Sequence, residues 1–408
     1  MKIDDKTSHN SPSLRFPEFT GEWERCVLGD VLEFSNTRIN SSELNSGNYV
    51  STENILQNFQ GIVKARSIPE DTNVMAFSCG NILLSNIRPY LKKVWKATFN
   101  GGCSSDVFVL QANSNIDADY LHYVVANDKF IGFVMNGAKG VKMPRGDKNQ
   151  MKTYSLSLPS IKEQRKISRF LSFLDERIAV QNRLIEDLKK LRCAIIENVF
   201  CSPNHNESAL RFKGNTDPLS TYRMEDFCSR ITRKNKDNQC SLVLTIAAQY
   251  GLVDQESFFN KTVASENLAG YYLLHKGEFA YNRSYSAGYD WGAVKRLEKY
   301  PEGVLSTLYI CFKIDESAVD SDYLAYYFES TKWHKGLSDI AGEGARNHGL
   351  LNVSVNDYFN TRHRFHCMRE QKIIASMLNV ISQKENDEIA LYDNYQKQKQ
   401  YLLRKMFI

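Results

Sequence analysis

Residues 160–200 read SIKEQRKISRFLSFLDERIAVQNRLIEDLKKLRCAIIENVF, with neither glycine nor proline in the run. Apolar residues fall at Ile167, Leu171, Leu174 and Ile178, then at Ile185, Leu188 and Ile195. Steps of four and three mark a coiled-coil seam, here interrupted by the polar Gln181. Ser160 followed by Glu163 forms a capping box behind Pro159, and Pro203 stands past the far end. The spacing predicts one helix of about 38 residues, about 57 Å long at about 1.5 Å per residue. An average globular helix is about 11–12 residues.

The same design recurs from Glu370 to Phe407. Ile374, Leu378 and Ile381 open a second seam, Glu385 and Glu388 stand where the first copy has Ile178 and Gln181, and Tyr392 and Tyr395 resume the stripe. His366 and Cys367 replace Pro159 and Ser160, so the start of this helix is less sharply signalled.

Working outward, the whole chain is written twice. Leu14-Arg15-Phe16 returns as Leu210-Arg211-Phe212, and Asp30-Val31 as Asp226-Phe227, both at an offset of 196. Gly80 matches Gly277, Asp117-Ala118-Asp119-Tyr120-Leu121 matches Asp320-Ser321-Asp322-Tyr323-Leu324 at offset 203, and Glu163-Gln164 matches Glu370-Gln371 at offset 207, a register that also pairs Phe200 with Phe407. The offset only grows, as expected of a duplicated unit whose second copy has gained loop residues. The copies agree at their edges and diverge in their middles, for instance residues 50–59 against 244–253.

Those middles carry short β-branched and aromatic runs, Val107-Phe108-Val109-Leu110 and Leu308-Tyr309-Ile310-Cys311-Phe312, between Gly, Asn and Ser clusters. Helical patches are expected at Asp119–Asn127 and Asp322–Ser330, with aromatics facing a core. The expected fold class is α+β: two pseudo-repeated mixed domains with twisted sheets, separated by two long helices forming an antiparallel coiled coil. The boundaries are a flexible N-terminus at 1–13, a first variable domain at 14–159, a central helix at 160–202, a second variable domain at 203–366 and a distal helix at 367–408. Two core helices of an ordinary bundle are the plainer alternative. Rods related by a pseudo-two-fold axis would instead pair with each other and offer two similar surfaces to two copies of a partner.

Composition agrees with folded domains. With 408 residues, 42% hydrophobic and 24% charged, the chain exceeds one hydrophobic core. No apolar run reaches the roughly 18 residues of a membrane span, and the polar start lacks a signal-peptide stretch, so a cytoplasmic protein without membrane association is expected. Nine cysteines without a Cys-x-x-Cys pair argue against zinc or a disulfide framework and for buried thiols.

The net charge of +5 is mild, but its distribution is uneven. Basic clusters lie at 88–96, 139–152, 230–236 and 362–369. Each can be a solvated face or a phosphate-binding surface. Since base edges are read by Arg, Lys, Asn and Gln and phosphates by cations and hydroxyls, the DNA-contact candidates are Arg88, Lys92, Lys93, Lys139, Lys142, Arg145 and Lys148 in the first domain. In the second they are Arg230, Arg233, Lys234 and Lys236, then Asn282, Arg283, Ser284, Tyr285 and Ser286, and finally Arg346, Asn347 and His348.

No catalytic constellation appears. There is no Pro-Pro pair for the Asn/Asp-Pro-Pro-aromatic loop of an amino-methyltransferase, and no Gly-Lys pair for a P-loop. His363-Arg364-Phe365-His366-Cys367 reads as a strand end leading into the helix rather than a metal site, and Glu70 with Asp71 as a solvent-facing pair. No catalytic and no metal-ligating residue is assigned.

Leu14-Arg15-Phe16-Pro17-Glu18-Phe19 with Gly21-Glu22-Trp23 and Leu28-Gly29-Asp30 resembles the opening of type I restriction–modification specificity subunits. Leu158-Pro159-Ser160 to Glu163-Gln164 resembles that family's central conserved region, and Arg369-Glu370-Gln371 with its helix the distal one; in the second half, residues 249–255 and 277–286 also resemble members of this family. The missing Pro and capping Ser before the second helix, and the acidic pair Glu385 and Glu388, depart from the pattern. The resemblance implies two target-recognition domains, each reading a half-site of double-stranded DNA through the major groove, with a spacer fixed by the helices. Because the middles differ, the bipartite site should be asymmetric. It also implies two modification subunits methylating adenine with S-adenosylmethionine and two restriction subunits using ATP and magnesium, with no cofactor in this chain. A stand-alone endonuclease and a protein-binding scaffold are the competing readings.

Overall fold

The computed structural model describes residues 11–214, 217–260, 267–284, 288–341 and 351–408. They divide into two units, one formed by residues up to Asn182 together with Leu391–Ile408, the other by Arg183–Ala390.

In the first unit a four-stranded sheet runs in the order Leu32–Phe34, Val107–Ala112, Ile82–Ser85, Val94–Lys96, antiparallel throughout. Alternation along its strands sends side chains to two cores. Ile82, Leu84, Phe108 and Leu110 enter one cluster with Trp23, Tyr120 and the helix residues Ile167 and Leu171, whereas Leu83, Val107 and Val109 join Phe77 and Trp95 in another. Burial on both faces explains why these strands read as continuous apolar runs. A second sheet, Arg38–Asn40, Asn73–Phe77, Gly101–Cys103, Tyr49–Val50, ends in a parallel pair. Its crossing is tight enough that a Cβ on Gly101 would lie 2.0 Å from the Asn48 carbonyl oxygen.

The second unit repeats the first sheet with the same topology: Cys228–Arg230, Ile310–Ile314, Phe279–Asn282, Ala293–Arg296. Phe279, Tyr281 and Phe312 face one core, Ala280 and Cys311 another. The divergent stretch noted in the sequence is a real structural difference. Tyr49–Val50 leads into a loop closed by the bridge Ile55 to Ile62, while Leu244–Ala247 folds back on Gly251–Asp254 as a hairpin.

Each unit closes with a two-stranded ribbon immediately before a long helix. Glu24–Val27 pairs with Ser155–Leu158, and Ser220–Arg223 with Arg362–Phe365. The expected helical patches are Ala118–Val125 and Ser321–Tyr327, N-capped by Asp117 and Asp320 through the Tyr120 and Tyr323 N–H groups at 3.1 and 2.9 Å.

The long helices are Ile161–Val199 and Met368–Met406. In the first unit Ile167 and Leu171 share a core with Leu402, Leu403, Met406 and Phe407, the Arg177 guanidinium donates to the Tyr395 hydroxyl at 2.9 Å, and Lys399 pairs with Asp175. In the second, Ile196, Val199 and Phe200 pack with Ile374 and Leu378, and Arg192 meets Glu385 at 3.1 Å. In both, residue numbers rise on one helix as they fall on the other, so the pairing is antiparallel. The seam residues Leu174, Ile178, Leu188, Ile381, Tyr392 and Tyr395 are half-buried and Ile185 is buried.

Three sequence expectations are corrected. At the far end of the first helix Ile196, not Ile195, is the deeper residue. The Glu163 carboxylate is taken by Arg15 rather than closing a capping box, although the Glu163 N–H does donate to Ser160 Oγ at 3.4 Å. The thiols are not all buried: Cys79 and Cys193 are exposed. Among the described residues no helix is long and apolar enough to cross a membrane.

Candidate nucleic-acid interface

In the first unit the basic residues gather on a hairpin and a neighbouring turn. Gly140, at φ +94°, reverses the chain, and Lys139 and Arg145 exchange backbone N–H to carbonyl bonds, both 2.9 Å. Lys139 Nζ pairs with Asp147 at 2.9 Å. The hydrogen bond raises the lysine pKa, and together with the Asn149 and Gln150 N–H groups it holds Asp147 below the usual carboxylate range. Asp147 also caps the helix Lys148–Lys152, so the hairpin is anchored at its base. Arg145 reaches Asp106 at 3.4 Å.

The turn Pro89–Leu91 is bracketed by Arg88 and Lys92, both left-handed at φ +51° and +55°. Such a conformation costs a non-glycine residue about 1–2 kcal/mol. It is held here because the Arg88 N–H donates to the Pro144 carbonyl and the Lys92 N–H to the Pro89 carbonyl, each at 2.8 Å. The first of these bonds joins turn to hairpin, bringing Arg88, Lys139, Lys142 and Arg145 into one basic edge.

The remaining first-domain candidates are engaged inward. Lys92 pairs with Asp128 at 2.8 Å, and Lys93 Nζ donates to the Thr52 carbonyl at 2.5 Å. The Lys148 ammonium lies 5.5 and 5.2 Å from the ring centres of Phe34 and Phe108.

In the second unit residues 230–236 form a basic strip along residues 270–273. Arg230 donates to the Tyr272 hydroxyl at 3.3 Å, and the Lys234 ammonium sits 4.0 Å from the centre of the same ring. Arg233 is tied to Glu278 at 2.6 Å and to the Leu273 carbonyl at 3.2 Å, whereas Lys236 is exposed.

Asn282, Arg283 and Ser284 lie apart from that strip. Arg230 pairs with Phe312, and Phe312 with Phe279, three residues before Asn282. Two strands and three residues amount to about 14 Å. Arg283 donates to the carbonyls of Leu308 at 3.3 and 3.1 Å and of Val353 at 3.1 Å, and its own carbonyl accepts from Leu351. It therefore buttresses surrounding loops. The Ser284 N–H donates to Asn282 Oδ1 at 3.0 Å. Tyr285, Ser286, Arg346, Asn347 and His348 lie outside the described residues.

Sequence reading missed two things. The carboxylates Asp106 and Asp128, which neutralise chosen cations, are distant in the chain and carry no signal of that pairing. The hairpin tip was legible in principle, because Gly140 and Pro144 punctuate three residues, but attention to polar residues passed over Val141, Met143 and the nearby Tyr90, all exposed.

The histidine stretch is a strand end leading into the second helix, as read. His363 is fully enclosed between the Tyr327 hydroxyl at 3.0 Å and Thr361 Oγ1 at 2.9 Å, and His366 contacts the Tyr323 hydroxyl at 2.8 Å. Among the described residues no group of three metal-ligating side chains occurs.

The family model of the type I restriction modification DNA specificity domain matches residues 20–190. The EcoDI type I restriction enzyme specificity subunit of Escherichia coli is 27% identical over 30% of this chain; the match spans only 28% of that relative's own length. Among solved structures, the S subunit of a type I restriction-modification system from M. genitalium aligns with a TM-score of 0.58 at 14% identity, covering 98% of this chain and 99% of that one. A structure from work on complex assembly and conformational transition of the type I R-M system aligns at 0.54 with 16% identity, over 94% and 97% of the two chains. At such identities the structural likenesses establish the fold alone.

Proposed function

We propose that this chain is a specificity subunit of the type I restriction–modification family, whose DNA specificity domain model matches residues 20–190, and that it reads DNA sequence for a complex whose chemistry resides in other chains. The observation that carries this is the pairing of one duplicated scaffold with two unlike basic edges. The four-stranded sheets share their order, and the anchors Arg15 to Glu163 and Arg211 to Glu370 repeat. The edges are a hairpin with a turn in one unit and a strip along Tyr272 in the other. Similar supports bearing different contact residues suit an asymmetric bipartite site, one half-site per unit, with a fixed spacer set by the helices.

In this reading the target-recognition domains span 14–159 and 203–366 with the conserved helices at 160–202 and 367–408, and the protein acts in the cytoplasm without catalytic groups or cofactor. Two modification subunits would bring S-adenosylmethionine and two restriction subunits ATP and magnesium. On the first long helix, Phe173 and Val180 in the first unit and Leu184 and Leu191 in the second are exposed away from the seam, and each pair would suit an apolar contact with such a partner.

Mapping methylated adenine in cells carrying the protein with its partner subunits tests the proposal. A two-part asymmetric motif with constant spacing is expected. Purified protein that cuts DNA with magnesium alone would instead mark an endonuclease, and binding to duplex that is insensitive to salt and sequence a scaffold.

A further inference from the structure

The tip of the hairpin Lys139–Arg145 is chemically at odds with its surroundings. Val141 is 103% exposed and Met143 46%, and Tyr90 in the adjoining turn is 48% exposed, yet Lys142 and Arg88 flank them. Among the described residues, neither of these two cations has an acidic side-chain partner within ion-pair distance. A valine held wholly in water gains nothing for folding, and its apolar surface is open to a partner. The hairpin base is fixed by Asp147, by the paired backbone bonds of Lys139 and Arg145, and by the Arg88 to Pro144 bond. The apolar tip is thus presented on a rigid support rather than a slack loop.

Positive charge around an apolar point calls for a partner with phosphates outside and a methyl group inside. The major groove of duplex DNA has that arrangement, because the thymine C5-methyl is its one apolar feature. We infer that Val141, with Met143 beside it, reads a thymine methyl in the half-site of the first unit, while Lys142 and Arg88 hold the flanking phosphates. This rests on the proposed function and adds a specificity-determining contact made by no polar group.

The experiment uses the full chain and a randomised duplex library. Selection yields an enriched duplex, which is then resynthesised with each thymine in turn replaced by deoxyuracil, identical but for the methyl. One thymine in one half-site should lose about fourfold in affinity when its methyl is removed. Val141→Ala should bind the thymine and uracil duplexes equally at that position, with the salt dependence of binding unchanged. An enriched half-site lacking thymine, or a thymine-to-uracil ratio that V141A leaves intact at every position, overturns the inference while the DNA-reading function stands. V141A that keeps the ratio but loses a partner subunit makes the tip a protein contact and overturns it too. A library from which nothing is enriched removes the proposed function itself, and the inference with it.

Discussion

Arg15 clasps Glu163 through both carboxylate oxygens, Nε to Oε1 and Nη2 to Oε2 each at 2.7 Å, with the glutamate side chain 1% exposed. Arg211 repeats the grip on Glu370 at 3.2 and 2.5 Å. The next residue in each copy completes the joint: Gln164 accepts from the Asp117 N–H and donates to the Pro159 carbonyl, and Gln371 does the same with Asp320 and His366. One clamp thus fixes the opening segment, the capped helix and the start of the long helix together. Removing one partner of a buried pair leaves a charge unpaired and costs about 3–5 kcal/mol. Arg15→Ala should therefore lower the denaturant midpoint by several kcal/mol's worth of stability, and Arg15→Lys should recover only part, since an ammonium cannot bind both oxygens in parallel. Equal stability of R15A and the parent in urea would show that the clamp holds nothing.

The helices were legible because seven-residue spacing is a local property, and Ile167, Leu171, Ile374 and Leu378 all reached the core. Glu385 read as a break in the seam because its partner could not be seen. Arg192, almost two hundred residues away and itself on the seam seven residues after Ile185, meets both Glu385 and Glu329. The sheets were legible as apolar runs, but their order depends on pairings between distant strands that no local pattern encodes. For the basic edge, residue type marked Arg145 and Lys142 as readily as Lys148. Only tertiary contact separates the exposed first two from the third, which lies against Phe34 and Phe108.

That separation predicts different phenotypes. Lys142→Ala and Arg145→Ala should each weaken duplex binding and reduce the slope of log affinity against log salt by about 0.9 per lost phosphate contact. Lys148→Ala should leave the slope alone and lower stability by about 0.5–1 kcal/mol through the lost cation–π contact. Anisotropy titrations over a salt series, with urea unfolding beside them, distinguish the cases. A salt slope that changes for K148A and not for R145A would reverse the assignment.

Burial pushes His363 down to about 3 and His366 down to about 4, with Glu370 partly offsetting the latter. Both histidines are neutral in the folded state near neutrality. Above about pH 6.5 the unfolded chain is neutral at these sites as well and they add no pH dependence. As pH falls below that value only the unfolded chain takes up protons. Stability should then drop by up to about 1.4 kcal/mol per pH unit for each histidine, until the folded-state values near 3 and 4 are reached. Unfolding of the full chain in urea at several pH values should show this loss before carboxylates titrate, with His122 and His334, also lowered by burial, adding to it, and His363→Gln should remove only its own share. A flat profile between about pH 6.5 and 5 would mean these imidazoles are not buried neutral.

The spacer prediction concerns length and phase together. Inserting one heptad into each long helix, after Ile185 in the first and before Tyr392 in the second, keeps Leu188 and Tyr395 on the seam because seven residues preserve the apolar phase. It lengthens each helix by about 10.5 Å, close to three base pairs at about 3.4 Å each. If the helices set the spacing as proposed, methylated-adenine mapping should return the same two half-sites with about three more base pairs between them. Inserting three residues instead shifts the second part of each seam out of phase, and this variant should lose stability and methylation together. Unchanged spacing in a stable heptad variant would mean that the helices do not measure the site, and that the loops alone determine where each half-site is read.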